Sequence, residues 1–175
     1  MGVVGELGLT SLRVSALARS GQWFASSKVG ASIFSRLMPA LDALTLKATR
    51  GRTTFTEGVA ALPTIYLTTR GAKTGQPRTV PLLAVVAGDD LAVIGSNWGR
   101  GRHPGWVHNL LADPHATVAR RDRTVDVVAK EAEGADADRI WSAARALYRG
   151  YRTYPARTHG RTIRVFVLST PTENQ

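Results

Sequence analysis

Cysteine is missing from all 175 residues. Its absence excludes disulfides, thiolate metal sites and cysteine nucleophiles together, and it fits a reducing compartment. No apolar stretch reaches the roughly 20 residues that a membrane-spanning helix requires. The N-terminal region also reads poorly as a signal peptide, because Arg13 and Arg19 interrupt any hydrophobic stretch and no small-residue cleavage site follows one. Acidic residues are scarce: 13 Asp and Glu stand against 23 Lys and Arg, a formal net charge of +10. From Arg139 to Arg164 there are seven arginines and no acid. Such a balance suits an anionic partner, whether nucleic acid, acidic membrane or a phosphorylated or carboxylated small molecule, but it also suits a solvated basic face.

Several fingerprints are absent as well. There is no G-x-G-x-x-G and no Walker A motif, so dinucleotide-binding and P-loop folds lack their mark. There is no G-x-S-x-G nucleophile elbow. Among the 4 histidines, His103 and His108 straddle Pro104, a poor geometry for one ion, and no metal site is expected. No basic–aromatic module of a nucleic-acid binder is visible, so nucleic acid is not an expected partner.

The length suits one globular domain with a core of its own. Texture changes near residue 60. Residues 1–60 read as an N-terminal helical extension, with Ile33, Phe34, Leu37, Leu41 and Leu44 on one helical face and Pro39 as a break. Trp23 and Phe24 sit among Arg13, Arg19, Lys28 and Arg36. That segment suits packing on the domain or a peripheral contact with an anionic membrane.

Residues 61–175 read as strands with one or two helices. Strands are expected at 62–69, 79–86, 91–96, 115–121, 124–133 and 163–168, with helices at 105–111 and 136–148. Hairpin links between the strands predict an antiparallel sheet, and about six short strands can close into a small barrel. The expected class is α+β: a split β-barrel with flanking helices.

Three stretches could carry chemistry. Ala72-Lys73-Thr74-Gly75-Gln76-Pro77-Arg78 lies in a turn between strands, where glycine permits close backbone approach and Lys73, Thr74 and Arg78 offer charge and a hydroxyl to an anion. Many ordinary hairpin turns share that composition. Ile94-Gly95-Ser96-Asn97, then Gly105-Trp106-Val107-His108-Asn109, places a strand end beside a helix start. Backbone N–H groups there suit a flat carbonyl-rich ring. Trp106 serves as a ring wall or a core residue, and Asn109 as a ligand or a cap. Tyr148, Tyr151 and Tyr154, three apart, would share a helical face, either as a packing stripe or as phenols around a substrate.

Taken together, these stretches resemble the deazaflavin-dependent nitroreductase family of actinobacteria, the coenzyme F420-dependent quinone and nitro reductases. The resemblance runs from Leu62 to Leu168 and rests on Leu67-Thr68-Thr69-Arg70-Gly71-Ala72-Lys73-Thr74-Gly75-Gln76-Pro77-Arg78 with Pro81-Leu82, and on Pro104-x-Trp106-x-x-Asn109-Leu110-x-x-x-Pro114. It implies a split barrel and a hydride transfer from reduced coenzyme F420 to a small organic acceptor: a quinone, a nitroaromatic or an activated alkene. It also implies that Ala72, Lys73, Thr74, Gly75 and Arg78 hold the coenzyme's anionic arm. By the same resemblance, Pro81, Leu82, Leu83, Ile94, Gly95, Ser96, Asn97, Gly105, Trp106, Asn109 and Tyr151 surround the ring. Tyr148, Tyr151 and Tyr154 with Trp98 would line the acceptor pocket, Tyr148, Tyr151 and Ser96 being the side chains expected to act on the acceptor. Two positions depart from the family's pattern: Asn97 stands where a lysine is frequent, and Leu83 where an aromatic is frequent. Those changes bear on acceptor choice more than on coenzyme. Two other readings remain open, an FMN-binding oxidoreductase on the same barrel and a non-catalytic F420-binding protein. The expected location is cytoplasmic, with peripheral attachment to the inner face of the cell membrane as an extension of that expectation; the number of subunits is left open.

Overall fold

The computed structural model describes residues 2–9 and 63–171. Most of the expected N-terminal extension, including Trp23, Phe24 and the 33–44 apolar face, lies outside the described residues.

The described chain begins with a single turn of helix, α1 (Val3–Glu6). Seven strands follow from residue 64: β1 (Thr64–Arg70), β2 (Pro77–Leu83), β3 (Val85–Ala87), β4 (Asp90–Ile94), β5 (His115–Arg120), β6 (Arg123–Glu131) and β7 (Val165–Ser169). Helix α2 (Gly105–Ala112) lies between β4 and β5, and α3 (Gly134–Leu147) follows β6. After α3 come a 3-10 turn (Arg149–Arg152) and the short α4 (Tyr154–Arg157). All pairings are antiparallel, in the order β2-β1-β5-β6-β7-β4-β3.

One expected strand, 79–86, is two. The run of apolar and β-branched residues there is continuous, yet β2 pairs with β1 and β3 pairs with β4, at opposite ends of the sheet. Ala84 alone joins them, buried, with its N–H donated to the Pro63 carbonyl at 2.8 Å. Two edge strands joined by one residue force the sheet to curl into an antiparallel half-barrel. Pro77 and Pro81 both sit on β2. An edge strand tolerates them because half its N–H groups point away from its neighbour, and proline there discourages further strand pairing.

Alternation then sorts the side chains. On β6, Val125, Val127 and Ala129 point inward while Thr124, Asp126 and Lys130 are exposed. The concave face buries Ile65, Leu67, Leu91, Val93, Val118, Phe166 and Leu168, with Trp106, Val107 and Leu110 of α2 closing one side. Val3, Leu7 and Leu9 complete this core. Hydrogen bonds from the Val4 N–H to the Asp89 carbonyl (3.0 Å) and from buried Arg120 to the Leu7 carbonyl (3.3 Å) tie that segment down. A second core forms on the outer face of β3, β4 and β7, where Val85, Ala92, Ile94 and Val165 meet Ile140 and Ala144 of α3.

Candidate active site

Two of the three chemistry-bearing stretches meet at α2, the basic turn through Asn109 and the end of β4 through Gly95. Its N-terminus is exposed at Gly105, while Trp106 turns inward against Phe166, ring centroids 5.9 Å apart. Trp106 is only 5% exposed, so it supports the helix from below. Asn109, half-buried on the same helix, reaches across to the first stretch. Its Nδ2 donates to the Thr69 hydroxyl at 2.9 Å, and its Oδ1 accepts the Ala72 N–H at 3.0 Å. This side chain therefore pins the end of β1 and the start of the basic turn to α2.

The turn itself is closed by Gly71 N–H to the Gln76 carbonyl (2.9 Å) and by Gly75 N–H to the Gly71 carbonyl (2.7 Å). Gly75 has φ +67, in the left-handed region that favours glycine. Lys73, Thr74 and Arg78 all lie exposed on this turn and the start of β2. Among the described residues neither Lys73 nor Arg78 forms an ion pair with a carboxylate. Exposed cations without a carboxylate partner among the described residues suit an external anion. Pro81 is exposed further along β2, and Leu82 and Leu83 are half-buried on opposite faces, against the first and second cores respectively.

The second stretch packs on α2 through Gly95. A methyl group there would meet Val107 Cγ2 at 2.8 Å and the Arg164 carbonyl at 3.2 Å, so only glycine lets strand and helix approach this closely. Ile94 lies in the second core and Ser96 is 9% exposed. Beyond them the backbone is unusual: Asn97 (φ 47), Trp98 (φ 57) and Gly99 (φ 76) are left-handed in succession. A bulky residue in that region is a genuine outlier and marks strain held by its surroundings. Trp98 is half-buried and packs against the second core, and Gly99 abuts Tyr154 and Arg157.

The third stretch forms a buried aromatic cluster. Tyr148, Tyr151 and Tyr154 are exposed by only 4%, 4% and 2%. Their rings contact one another at 5.6–6.1 Å between centroids, and Trp141 stands edge-on to Tyr151. The Tyr148 and Tyr154 hydroxyls lie 3.2 Å apart. Burial pushes the pKa of all three phenols above the ordinary value, so they stay neutral at physiological pH. The cluster joins Leu83 and Trp98 in the second core, to which no residue of the Lys73 turn belongs.

One residue was not singled out by sequence. Arg161, one of seven arginines between 139 and 164, reaches back to the loop after β4. Its guanidinium donates to the carbonyls of Gly95 (3.1 Å), Ser96 (3.0 Å) and Arg100 (3.0 Å) and meets His103 Nδ1 at 3.2 Å. Burial, then the charges of Arg161, Arg164 and His108, hold the His103 pKa below its usual value. Nothing in the composition distinguishes Arg161 from its six neighbours; only the folded proximity of the β7 entrance to that loop does.

Comparison with known proteins adds to this geometry. A family model described as F420H(2)-dependent quinone reductase matches residues 34–170. An F420H(2)-dependent quinone reductase of Mycobacterium tuberculosis is 38% identical over 112 residues, covering 62% of this chain and 74% of the relative. A solved structure described as an F420-H2 dependent reductase (FDR-A) is similar with TM-score 0.56 at 36% identity, covering 61% of this chain and 93% of that one. Another, described as a domain-swapped dimer, is similar with TM-score 0.58 at 34% identity, covering 72% of this chain and 94% of that one.

Proposed function

The chain belongs to the F420H(2)-dependent quinone reductase family, and from that premise we propose that it is an oxidoreductase that reduces a small quinone-type acceptor with reduced coenzyme F420. The observation that carries the reading is the convergence on α2 of a basic turn without an acid partner among the described residues, through Asn109, and a strained strand-end loop, through Gly95. The residues fit the coenzyme's chemistry. Lys73, Thr74 and Arg78 would hold its anionic arm, with Ala72 and Gly75 shaping the turn around it. Pro81, Leu82 and Leu83 of β2, together with Ile94–Asn97, Gly105 and Asn109, would flank the ring, and Trp106 would act from beneath as the support of α2.

When bound, the coenzyme supplies the hydride, since the reactive carbon belongs to it. The chain's task is to orient donor and acceptor within about 3–3.5 Å, to stabilise negative charge developing on the acceptor and to exclude bulk water from the reacting face. Ser96 and the Trp98 turn would form the acceptor's edge, with Tyr148, Tyr151 and Tyr154 as the wall behind them. Neutral buried phenols donate hydrogen bonds but release protons reluctantly. Tyr148 and Tyr151 are therefore proposed to polarise and position the acceptor, with the final proton drawn from solvent at the loop.

Among the described residues no helix is long and apolar enough to cross a membrane. The basic, aromatic segment around Trp23 and Phe24 is proposed to touch the anionic surface of membranes, whose apolar interior dissolves apolar quinones. Fluorescence titration with F420 and with FMN tests the coenzyme, and steady-state oxidation of reduced F420 with a quinone tests the reaction. Tighter binding of F420 than of FMN, with turnover, is expected. Equal or tighter FMN binding refutes the coenzyme assignment, and F420 binding without turnover identifies a carrier.

A further inference from the structure

We propose that Arg161 is a positioning residue of this site: its guanidinium holds the Gly95–His103 loop in the left-handed form that places Trp98 at the acceptor wall. The proposal rests on the oxidoreductase reading above for its functional half and on geometry alone for its structural half.

The loop joins β4 to α2, the two elements whose ends flank the proposed ring site. Its middle is strained, with Asn97 and Trp98 both at positive φ. Such backbone persists only where its surroundings over-determine it. Local bonds supply part of that constraint: Gly99 N–H to the Ser96 carbonyl (2.9 Å), Arg100 N–H to the Asn97 carbonyl (3.0 Å) and Asn97 Nδ2 to the Arg102 carbonyl (2.9 Å). These bonds lie within the loop; outside it, Gly95 N–H to the Arg164 carbonyl (2.8 Å) and the packing of Trp98 and Gly99 help seat it on the barrel. Arg161 adds the side-chain hold that spans the strained turn. Its fork takes carbonyls from both sides of the strained turn, Gly95 and Ser96 before it and Arg100 after it, the last through both Nε (3.2 Å) and Nη2 (3.0 Å). It meets the loop's far end at His103 Nδ1 as well.

Arg161 is itself anchored. Its N–H donates to the Thr158 carbonyl at 3.1 Å, and its carbonyl accepts the Thr158 hydroxyl at 3.0 Å. Thr158 is 2% exposed. The clamp thus runs from a fixed backbone point near α4 to three carbonyls of the loop. Only a planar guanidinium with several diverging N–H groups can serve them at once. A lysine ammonium is a single point donor on a flexible stem and cannot span the same set.

The test uses the full chain with Arg161→Lys and Arg161→Gln, and it has two independent readouts. Amide hydrogen exchange across residues 95–103, compared with β5 and β6 in the same sample, reports the loop. The Kd for F420, and kcat and KM for a quinone, report the site. Both variants should keep a native circular dichroism spectrum. Exchange in 95–103 should quicken by about tenfold or more, with β5 and β6 unchanged, and acceptor kcat/KM should fall by about tenfold or more. Arg161→Lys should not rescue either effect, although it keeps the charge. Unchanged exchange in 95–103, or wild-type acceptor kinetics beside faster exchange, overturns the proposal. Should the wild-type chain fail to oxidise reduced F420 with any acceptor, the oxidoreductase reading falls, and the exchange data alone decide whether Arg161 positions the loop.

Discussion

The hydroxyls of Tyr148 and Tyr154 have each other as partners in an apolar cluster, 3.2 Å apart. Removing one leaves the other buried and unsatisfied, which costs about 1–3 kcal/mol. Removing both takes away the polar pair with little change of shape, which is nearly neutral. Tyr148→Phe and Tyr154→Phe should therefore each destabilise, while the double variant should be more stable than the sum of the two predicts. Urea denaturation of the four proteins measures this cycle, and simple additivity would mean that the pair is not coupled. The same burial raises the phenol pKa values above their ordinary 10.0. The unfolded chain then loses these protons first, so the stability they contribute is complete below about pH 10 and declines above it. Lys73 and Arg78, by contrast, face solvent with no acid partner among the described residues. If they hold the coenzyme's anionic arm, Lys73→Ala and Arg78→Ala should each weaken F420 binding by about tenfold, and the wild-type affinity should fall with added salt. Titration of both variants at low ionic strength decides it; unaltered affinity in both would place the anion elsewhere.

At the scale of elements, the loop from β4 to α2 is where pH should be felt. His103 accepts from Arg161 at Nδ1 when neutral, and burial together with Arg161, Arg164 and His108 disfavours its protonation, Glu131 acting in the opposite sense. Its folded pKa lies below the ordinary 6.5. The unfolded chain therefore takes up the proton first, so stability is full above about pH 6.5 and falls with acidification until the folded value is passed. Thermal midpoints measured from neutral to mildly acid pH should converge between wild type and His103→Gln as pH drops, and a constant gap would show that His103 does not titrate in this window. Local periodicity revealed most elements: β4, β5, β6, α2 and α3 lie within two or three residues of their expected ends. The break at Ala84 was hidden because 79–86 is uniformly apolar or β-branched, and a change of pairing partner leaves no trace in such a run. From sequence Trp106 reads equally as ring wall or core, because its partner Phe166 is distant in sequence. From sequence Asn109 reads as a cap or a ligand; its bridge from Thr69 to Ala72 needs the tertiary approach of α2 to β1.

For the whole molecule, the first described residues change how the N-terminal region must be probed. Val3, Leu7 and Leu9 are exposed by 0%, 1% and 2% and belong to the barrel core. Each contributes roughly 1.5–3 kcal/mol by burial, a large part of a domain's net stability of about 5–15 kcal/mol. Deleting residues 1–40 would strip this plug together with Trp23 and Phe24, and any loss of membrane binding would then be indistinguishable from unfolding. Substitution separates the two. In the membrane reading, Trp23 and Phe24 enter the interface while Arg13, Arg19, Lys28 and Arg36 meet anionic headgroups, each basic residue adding on the order of 1 kcal/mol. Wild type should bind vesicles rich in phosphatidylserine at low ionic strength, release with salt, and ignore vesicles of phosphatidylcholine alone. A Trp23→Ser/Phe24→Ser variant should bind the anionic vesicles markedly less, with its thermal midpoint and F420 affinity unchanged. If the aromatics instead pack on the domain, the same variant lowers the thermal midpoint and wild type stays in the supernatant of the vesicle sedimentation assay at every salt concentration.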